Sequence, residues 1–451
     1  MLNDTIAAIS TSLGEAAISV LRVTGPQALQ VAEKVVRTRK PLSLLKPRQA
    51  HLANLVDKDG HVIDHAMLLR FQGPASYTGE DVVELHCHGG LLVTQRVLEL
   101  LLAAGARAAE PGEFTQRAYL NGKMDLTQAE AVMDLIHAQS TLAMRAANEQ
   151  LEGSIGREAQ QMREDLIHVL AHIEAFIDFP EEDISPETGD AMLARIDAVR
   201  SRVQRLLATA EHGRILRHGA RTVICGEPNV GKSSLLNVLL GFERAIVSPQ
   251  AGTTRDTIEE MLQVHGLPLR LVDTAGLREG GDEIERHGMQ RTGREIDRAD
   301  LVIEVVDGTR QRDEGHRVET HIDPSRHLLV LNKADLGIDA SWSSDDAGIR
   351  VSSVSQEGIE ALRAAIRDIV MRSSGSMMTD HPVAINARHK SCFERVAASL
   401  EATRESLVRQ DAPEFIALEA REALQALGDV VGRVDIEEIL DEVFSAFCIG
   451  K

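Results

Sequence analysis

The chain has 451 residues, 43% apolar and 26% charged, which is enough for about three domains with buried cores and excludes a disordered chain. Forty-nine basic against sixty-nine acidic residues leave a net charge of −20, so broad nonspecific nucleic-acid binding is excluded and any RNA contact must be local or assisted by a partner. Four separated cysteines (Cys87, Cys225, Cys392, Cys448) exclude a disulfide framework or a zinc knuckle. With no apolar run of about 18 residues and no basic-then-apolar leader, the expectation is a cytoplasmic protein.

Residues 1–119 alternate short β-rich runs such as "AAISVLRV" and "VVELH" with helical stretches such as "GPQALQVAEKVV", predicting an α+β domain. Residues 120–218 read as all-α: Leu126, Ala129, Val132, Met133 and Ile136 share one helix face, and Met162, Leu166, Val169, Leu170, Ile173 and Ile177 share another. Pro180 breaks that run, and a further amphipathic helix is expected over Ala191 to Leu216. From 219 to 374 the runs "TVIC", "LRLVD", "LVIEVVD", "HLLVLN" and "IRVSS" are separated by helix-length segments, the pattern of a mostly parallel sheet with covering helices. After the linker "SSGSMMTDHP" the chain is helical again over 375–451. Because the helical blocks flank the α/β segment, a discontinuous helical domain with an inserted α/β domain is the economical arrangement.

Within that segment "GEPNVGKSS" fits G-x-x-x-x-G-K-S between a strand and a helix. Its backbone, with Asn229, Val230, Gly231, Lys232, Ser233 and Ser234, would wrap the phosphates; Lys232 would reach the β and γ phosphates, and the Ser233 hydroxyl would bind Mg²⁺. "GTTRD" follows, with Thr254 as second Mg²⁺ and γ-phosphate ligand beside Thr253. "DTAG" supplies Asp273, Thr274, Ala275 and Gly276: Asp273 would hold the metal through water, and the Gly276 N–H would face the γ phosphate. In "NKAD" (Asn332, Lys333, Asp335), the Asp335 carboxylate can accept from guanine N1–H and the 2-amino group, which adenine does not offer, so GTP is preferred. "SSVSQEG" from Ser352 is a weaker fifth motif. The residue after Gly276 is Leu277, where a water-positioning glutamine is common.

These motifs, with "AIVSPQAGTTRD", "DTAGLREGGDEIER", "PGEFTQRAYLNGKMDLTQAEAV" and the terminal "FCIGK", resemble the MnmE (TrmE) family of tRNA modification GTPases along essentially the whole chain. The resemblance implies an α+β folate-binding and dimerisation domain, a discontinuous all-α domain and an inserted Ras-like P-loop GTPase domain. It also implies potassium beside the phosphates, with Asn229, Ser248, Gln250 and Thr253 at the matching positions, and potassium-dependent pairing of two GTPase domains. Glu285 corresponds to the family's water-orienting glutamate; read alone it is one acid of "DEIE", with Asp282 and Glu283 as decoys. The implied reaction is GTP hydrolysis that drives aminomethyl or carboxymethylaminomethyl addition at C5 of the tRNA wobble uridine. The implied partner is MnmG (GidA), which brings FAD and NADH.

The resemblance also places a 5-formyl- or methylene-tetrahydrofolate against Arg22, Glu84, Lys123 and Lys451. By residue type alone, Arg22 reads equally as a strand-end surface charge and Glu84 as a solvent-facing strand residue. His86 and His88 share a strand face, but without a further ligand nearby they argue against a metal. Cys448 in "CIGK" reads either as a functional thiol or as a small buried residue, and Gly450, Lys451 and the acidic flank argue against prenylation. The rival functions are a GTP-dependent switch in ribosome or membrane assembly without modification chemistry, and a folate enzyme regulated by GTP.

Overall fold

The computed structural model describes residues 4–178, 189–242, 260–272, 295–312, 322–342, 348–373, 383–432, 443–445 and 447–450. The chain divides into two compact units, Met1–Met133 with Val431–Lys451, and Asp134–Val430.

The first unit is built on strands β1 (Ile6–Ile9), β2 (Ala16–Thr24), β3 (Val36–Arg37), β4 (His51–Val56), β5 (Val62–Phe71), β6 (Val82–Gly89) and β7 (Arg107–Ala108). Their order is β3-β4-β5-β6-β2-β1-β7, antiparallel throughout except for β1 with β7. Period-two alternation sends Leu21, Val23, Leu55, Leu68, Val83 and Leu85 to one face. There they pack against Val31 and Val35 of α1 (Ala28–Val35) and Val97 and Leu101 of α2 (Leu91–Ala103). The opposite face carries exposed Ile18, Leu52 and Met67 and the partly exposed Arg22, Glu84 and His86.

Helix α3 (Glu113–Leu120) anchors this unit through charge. Arg117 is 1% exposed, and its guanidinium donates to Asp4 Oδ1 at 2.7 Å and Glu113 Oε1 at 2.9 Å, with Glu80 at 3.3 Å. A guanidinium so buried is tolerable only because carboxylates surround it. The C-terminal segment belongs to the same unit: Phe444 and Phe447 pack with Leu126 and Met133, Pro111 bridges to Ile449, and Ser10 Oγ donates to Gly450 O at 3.1 Å.

The second unit contains helices α5 (Thr141–Leu151), α6 (Ser154–Asp178), α7 (Gly189–Ala208) and α8 (Ala210–His218). Helix α4 (Leu126–His137) runs across the boundary between the units. In α6 the expected stripe of Met162, Leu166, Val169 and Ile173 is buried, whereas Ile136 of α4 is 41% exposed. The single helix expected over 191–216 is instead two helices. Thr209 alone separates them as a turn residue, and its hydroxyl donates to Leu206 O at 2.7 Å.

A six-stranded sheet follows, formed by β8 (Ala220–Cys225), β9 (Glu260–Val264), β10 (Leu267–Leu271), β11 (Leu301–Asp307), β12 (His327–Asn332) and β13 (Ile349–Arg350). The order is β13-β12-β11-β8-β10-β9, parallel except for the β9–β10 hairpin. Leu301, Ile303 and Val305 face one core and Val302 another, which is why β11 reads as a continuous apolar run. Helices α9 (Lys232–Phe242) and α10 (Ile359–Ser373) accompany the sheet, and α11 (Ala387–Arg409) and α12 (Pro413–Val431) complete the helical part.

Candidate functional site

Strand β8 lies between β10 and β11, so successive connections leave it in opposite directions. In open parallel sheets that switch point is where ligands enter, at the carboxyl ends of the strands. The loop 226–231 leaves β8 there and feeds α9, which starts at Lys232. Its shape follows from residues that accept positive φ: Gly226 at +138°, Asn229 at +64° and Gly231 at +98°. A Cβ on Gly226 would lie 2.1 Å from the Val305 carbonyl oxygen, and one on Gly231 would lie 2.3 Å from Asn332 Nδ2. The loop is therefore pressed against β11 on one side and the "NKAD" motif on the other. Lys232 Nζ crosses the loop and donates to Gly226 O at 2.8 Å and Glu227 O at 2.6 Å.

Asn332, 2% exposed at the end of β12, ties three segments together. Its Nδ2 donates to Val230 O at 2.9 Å, while its Oδ1 accepts from Ser353 Oγ at 3.1 Å and Ser353 N at 3.3 Å. The 352–358 loop is shaped by the fully buried Ser352, whose Oγ accepts from Ser355 N at 3.0 Å and Val354 N at 3.2 Å. Asp335 is exposed on a short 3₁₀ turn, Ala334–Leu336, where its carboxylate can meet a ligand.

Asp307, which the sequence reading did not single out, closes this end. Its carboxylate lies 2.6 Å from Lys333 Nζ and accepts from Thr309 Oγ1 at 2.7 Å. Burial raises its pKa, but the bonds from Lys333 and Thr309 outweigh burial and hold it below the usual carboxylate range. Arg310 lies 3.7 Å from both Asp307 Oδ2 and Glu227 Oε2. The available signal was an Asp-Gly-Thr turn at the end of a parallel strand.

Ser248, Gln250, Thr253, Thr254, Asp273, Thr274, Ala275, Gly276, Glu285 and Lys451 lie outside the described residues. Val230 lies near the end of the loop, and Ser233 and Ser234 stand in the first turn of α9. A helix start after a glycine-containing loop, a lysine at its first position and a following serine suit a magnesium-bound phosphate chain.

In the first unit, Arg22 on β2 and Glu84 on β6 are register partners. Arg22 reaches Glu84 Oε1 through Nε at 3.0 Å and Nη2 at 2.9 Å. Neither is a free surface charge, since their side chains are 20% and 15% exposed. The guanidinium also lies 5.5 Å from the Tyr77 ring centre and 5.6 Å from that of Phe114. Glu84 Oε2 lies 3.2 Å from His86 Nε2, and His88 Nδ1 lies 2.7 Å from Asp64 Oδ1. The two histidines thus have separate carboxylate partners. Among the described residues the one grouping with metal-ligand spacing is Asp57, Asp59 and His61, on the β4–β5 turn.

Lys123 Nζ donates to Pro74 O at 3.0 Å, which places it on the 72–80 loop that also carries Tyr77. Cys448 is exposed, contrary to the buried reading, because its backbone rather than its side chain meets the domain: its carbonyl accepts from Gly112 N at 3.4 Å. An open face with a paired Arg–Glu, the partly exposed Tyr77 ring and a lysine on the same loop can bind a flat, polar, anionic heterocycle.

A family model described as the GTP-binding protein TrmE N-terminus matches residues 5–123, and one described as the MnmE helical domain matches residues 126–448. A tRNA modification GTPase MnmE from Akkermansia muciniphila is 50% identical over 447 residues, covering 99% of both chains. The chain belongs to the MnmE family of tRNA modification GTPases. Relatives of the same name from Opitutus terrae (43% identical, covering 100% of this chain and 99% of theirs) and Aquifex aeolicus (42%, covering 100% of both) extend the match. An N-terminal family domain, a helical domain and a P-loop fold are thus all present. Among the described residues no helix is long and apolar enough to cross a membrane.

Proposed function

We propose that this chain binds GTP at the β8–α9 loop and hydrolyses it to GDP and phosphate, and that the cycle drives modification at C5 of the wobble uridine of certain tRNAs. The observation that carries this reading is Asn332: one buried amide joins the phosphate loop, the "NKAD" motif and the 352–358 loop. Phosphate and base ends are therefore built as one receptor. Lys232, which donates to two loop carbonyls, would exchange them for phosphate oxygens, and the Asp335 carboxylate would accept from guanine.

Ser233 and Thr254 would hold magnesium, while Asn229, Ser248, Gln250 and Thr253 would hold potassium. Bound there, the two cations supply positive charge against the charge developing between the β and γ phosphates. Glu285 would orient the attacking water in place of the glutamine that Leu277 displaces. Residues 1–119 would form the folate-binding and dimerisation domain. There Arg22, Glu84, Lys123 and Lys451 would anchor a formyl- or methylene-tetrahydrofolate, with Cys448 near that site. Residues 120–218 and 375–451 would form the helical domain, its last residues from Val431 returning to the N-terminal unit, with the GTPase domain, 219–374, inserted between the two helical parts. An MnmG-type partner would bring FAD and NADH to a cytoplasmic hetero-oligomer on tRNA.

GTP turnover by the purified chain in potassium against sodium, with Glu285→Ala in parallel, tests the reading. The expected outcome is turnover faster in potassium, and a variant that keeps GTP affinity while losing about 100-fold or more in turnover. Equal turnover in both salts, with the variant unchanged, would remove both assignments.

A further inference from the structure

Against a net charge of −20, one stretch stands out: from Lys34 to Val56 there is no acidic residue, while Lys34, Arg37, Arg39, Lys40, Lys46 and Arg48 are all basic. All six are exposed. Several arginines elsewhere, Arg107, Arg117, Arg214 and Arg217 among them, lie against carboxylates. Among the described residues no carboxylate pairs with any of these six. Lys34, Arg37 and Arg48 donate only to carbonyl oxygens, those of Ala104, Gly60 and Ala75, which orient the cations without cancelling their charge.

Lys34 lies in the last turn of α1 and Arg37 in β3, while the loop after them, with Arg39, Lys40, Lys46 and Arg48, is tied to the sheet. Arg70, 7% exposed, donates from Nη1 to Leu42 O at 2.9 Å and Ser43 O at 2.6 Å. Leu42 is 1% exposed, its N–H donates to Glu33 Oε1 at 2.9 Å, and Arg48 N donates to Arg70 O at 2.8 Å. A buried arginine thus fixes a surface loop of unpaired cations. Protection of a sheet edge does not account for them: β3 is an edge strand but contains only Val36 and Arg37, and the other five cations lie outside it.

We propose that the segment Lys34–Arg48 is a docking surface for the phosphate backbone of the tRNA, a proposal that rests on the tRNA-modifying reading above. Guanidinium and ammonium groups held without carboxylate partners can contact phosphates and release counterions. At physiological salt the screening length is about 8 Å, so a phosphate at the loop feels these cations more than the chain's overall negative charge. An anionic bilayer fits less well, because the loop's 3₁₀ turn is three residues long and offers Leu44, 69% exposed, rather than an amphipathic apolar face.

The test uses the full chain and an unmodified tRNA transcript, with affinity measured by fluorescence anisotropy between about 50 and 200 mM salt. The triple variant Arg39→Glu, Lys40→Glu, Lys46→Glu is expected to lose at least about tenfold in affinity, and its log–log salt slope should be shallower by about 2. Its GTP turnover should match that of the parent. Unchanged tRNA affinity and slope overturn the proposal, as does failure of the parent to bind the transcript. GTP turnover in the same samples then shows separately whether the GTPase reading stands. Loss of binding to phosphatidylglycerol vesicles with tRNA binding intact would also overturn it, assigning the loop to a membrane.

Discussion

The nucleotide site and the open face of the N-terminal sheet are built by opposite means. The first is shaped by backbone: positive-φ residues, strand ends, a helix start and one buried amide. The second is shaped by side chains on neighbouring antiparallel strands, in which Arg22 meets Glu84 only because β2 and β6 are in register across 62 positions of sequence. Backbone-built sites need particular residues at fixed short spacings and leave a trace in the sequence. Side-chain sites need a residue type at each of several distant positions and leave almost none.

The difference explains what could be read beforehand. The loop 226–231, the strands around it and the guanine-specific motif were legible because glycine at Gly226 and Gly231 has no substitute where a Cβ would strike Val305 O or Asn332. Asp307 was not, because its partner Lys333 is 26 positions away and an aspartate ending a strand is common. For Arg22 and Glu84, composition favoured ordinary surface charges, and only the family resemblance singled them out. The break at Thr209 was missed because the apolar periodicity continues across a single turn residue, whose N–H and hydroxyl both bond to Leu206 O.

The sharpest way to break the comparison is Asn332→Ala. It strands the buried Val230 carbonyl and removes the acceptor of the half-buried Ser353 hydroxyl. The expected loss is about 2–4 kcal/mol of nucleotide binding, or roughly 30- to 1,000-fold in GDP affinity. The unliganded chain loses the same bonds, so its thermal midpoint should fall as well. Titration with a fluorescent GDP analogue checks it, and a loss under threefold would mean that the loop holds its shape without that amide.

A second measurement asks whether the first unit depends on its charges as strongly as the second depends on its loops. Burial pushes the Glu113 carboxyl up, but hydrogen bonds from Arg107 and Arg117 overcome this and hold it below its ordinary value; Asp4 is lowered likewise. Groups with depressed folded pKa values bind fewer protons folded than unfolded. Their stabilisation is therefore complete above the unfolded values, about 3.9 for Asp and 4.3 for Glu, and is lost as pH falls through the folded values. Stability monitored against pH should be flat above about pH 7, weaken as pH falls through about 6.5 because burial depresses the pKa values of His212 and His218, and weaken further below about pH 4. Glu113→Gln should lower stability at pH 7 by about 2 kcal/mol and make the acid limb shallower. An unchanged acid limb would place the pH sensitivity elsewhere.

The smallest expected effect belongs to the Arg22–Glu84 pair, and it separates a structural pair from a binding one. Both side chains are mostly covered, so their coupling should exceed that of an exposed ion pair, and Tyr77 and Phe114 give Arg22 a second set of contacts that survives loss of the carboxylate. A double-mutant cycle with Arg22→Met and Glu84→Gln should therefore give a coupling in stability of only about 1 kcal/mol. Tetrahydrofolate affinity should respond differently. Glu84→Gln keeps the shape and one acceptor but replaces a charged partner for ring N–H donors, so affinity should fall about tenfold while the unfolding midpoint hardly moves. If stability and affinity fall together in both single variants, the pair is a strut of the sheet. If affinity falls alone with Glu84→Gln, the open face is a ligand site assembled from side chains, and its contrast with the backbone-built nucleotide loop holds.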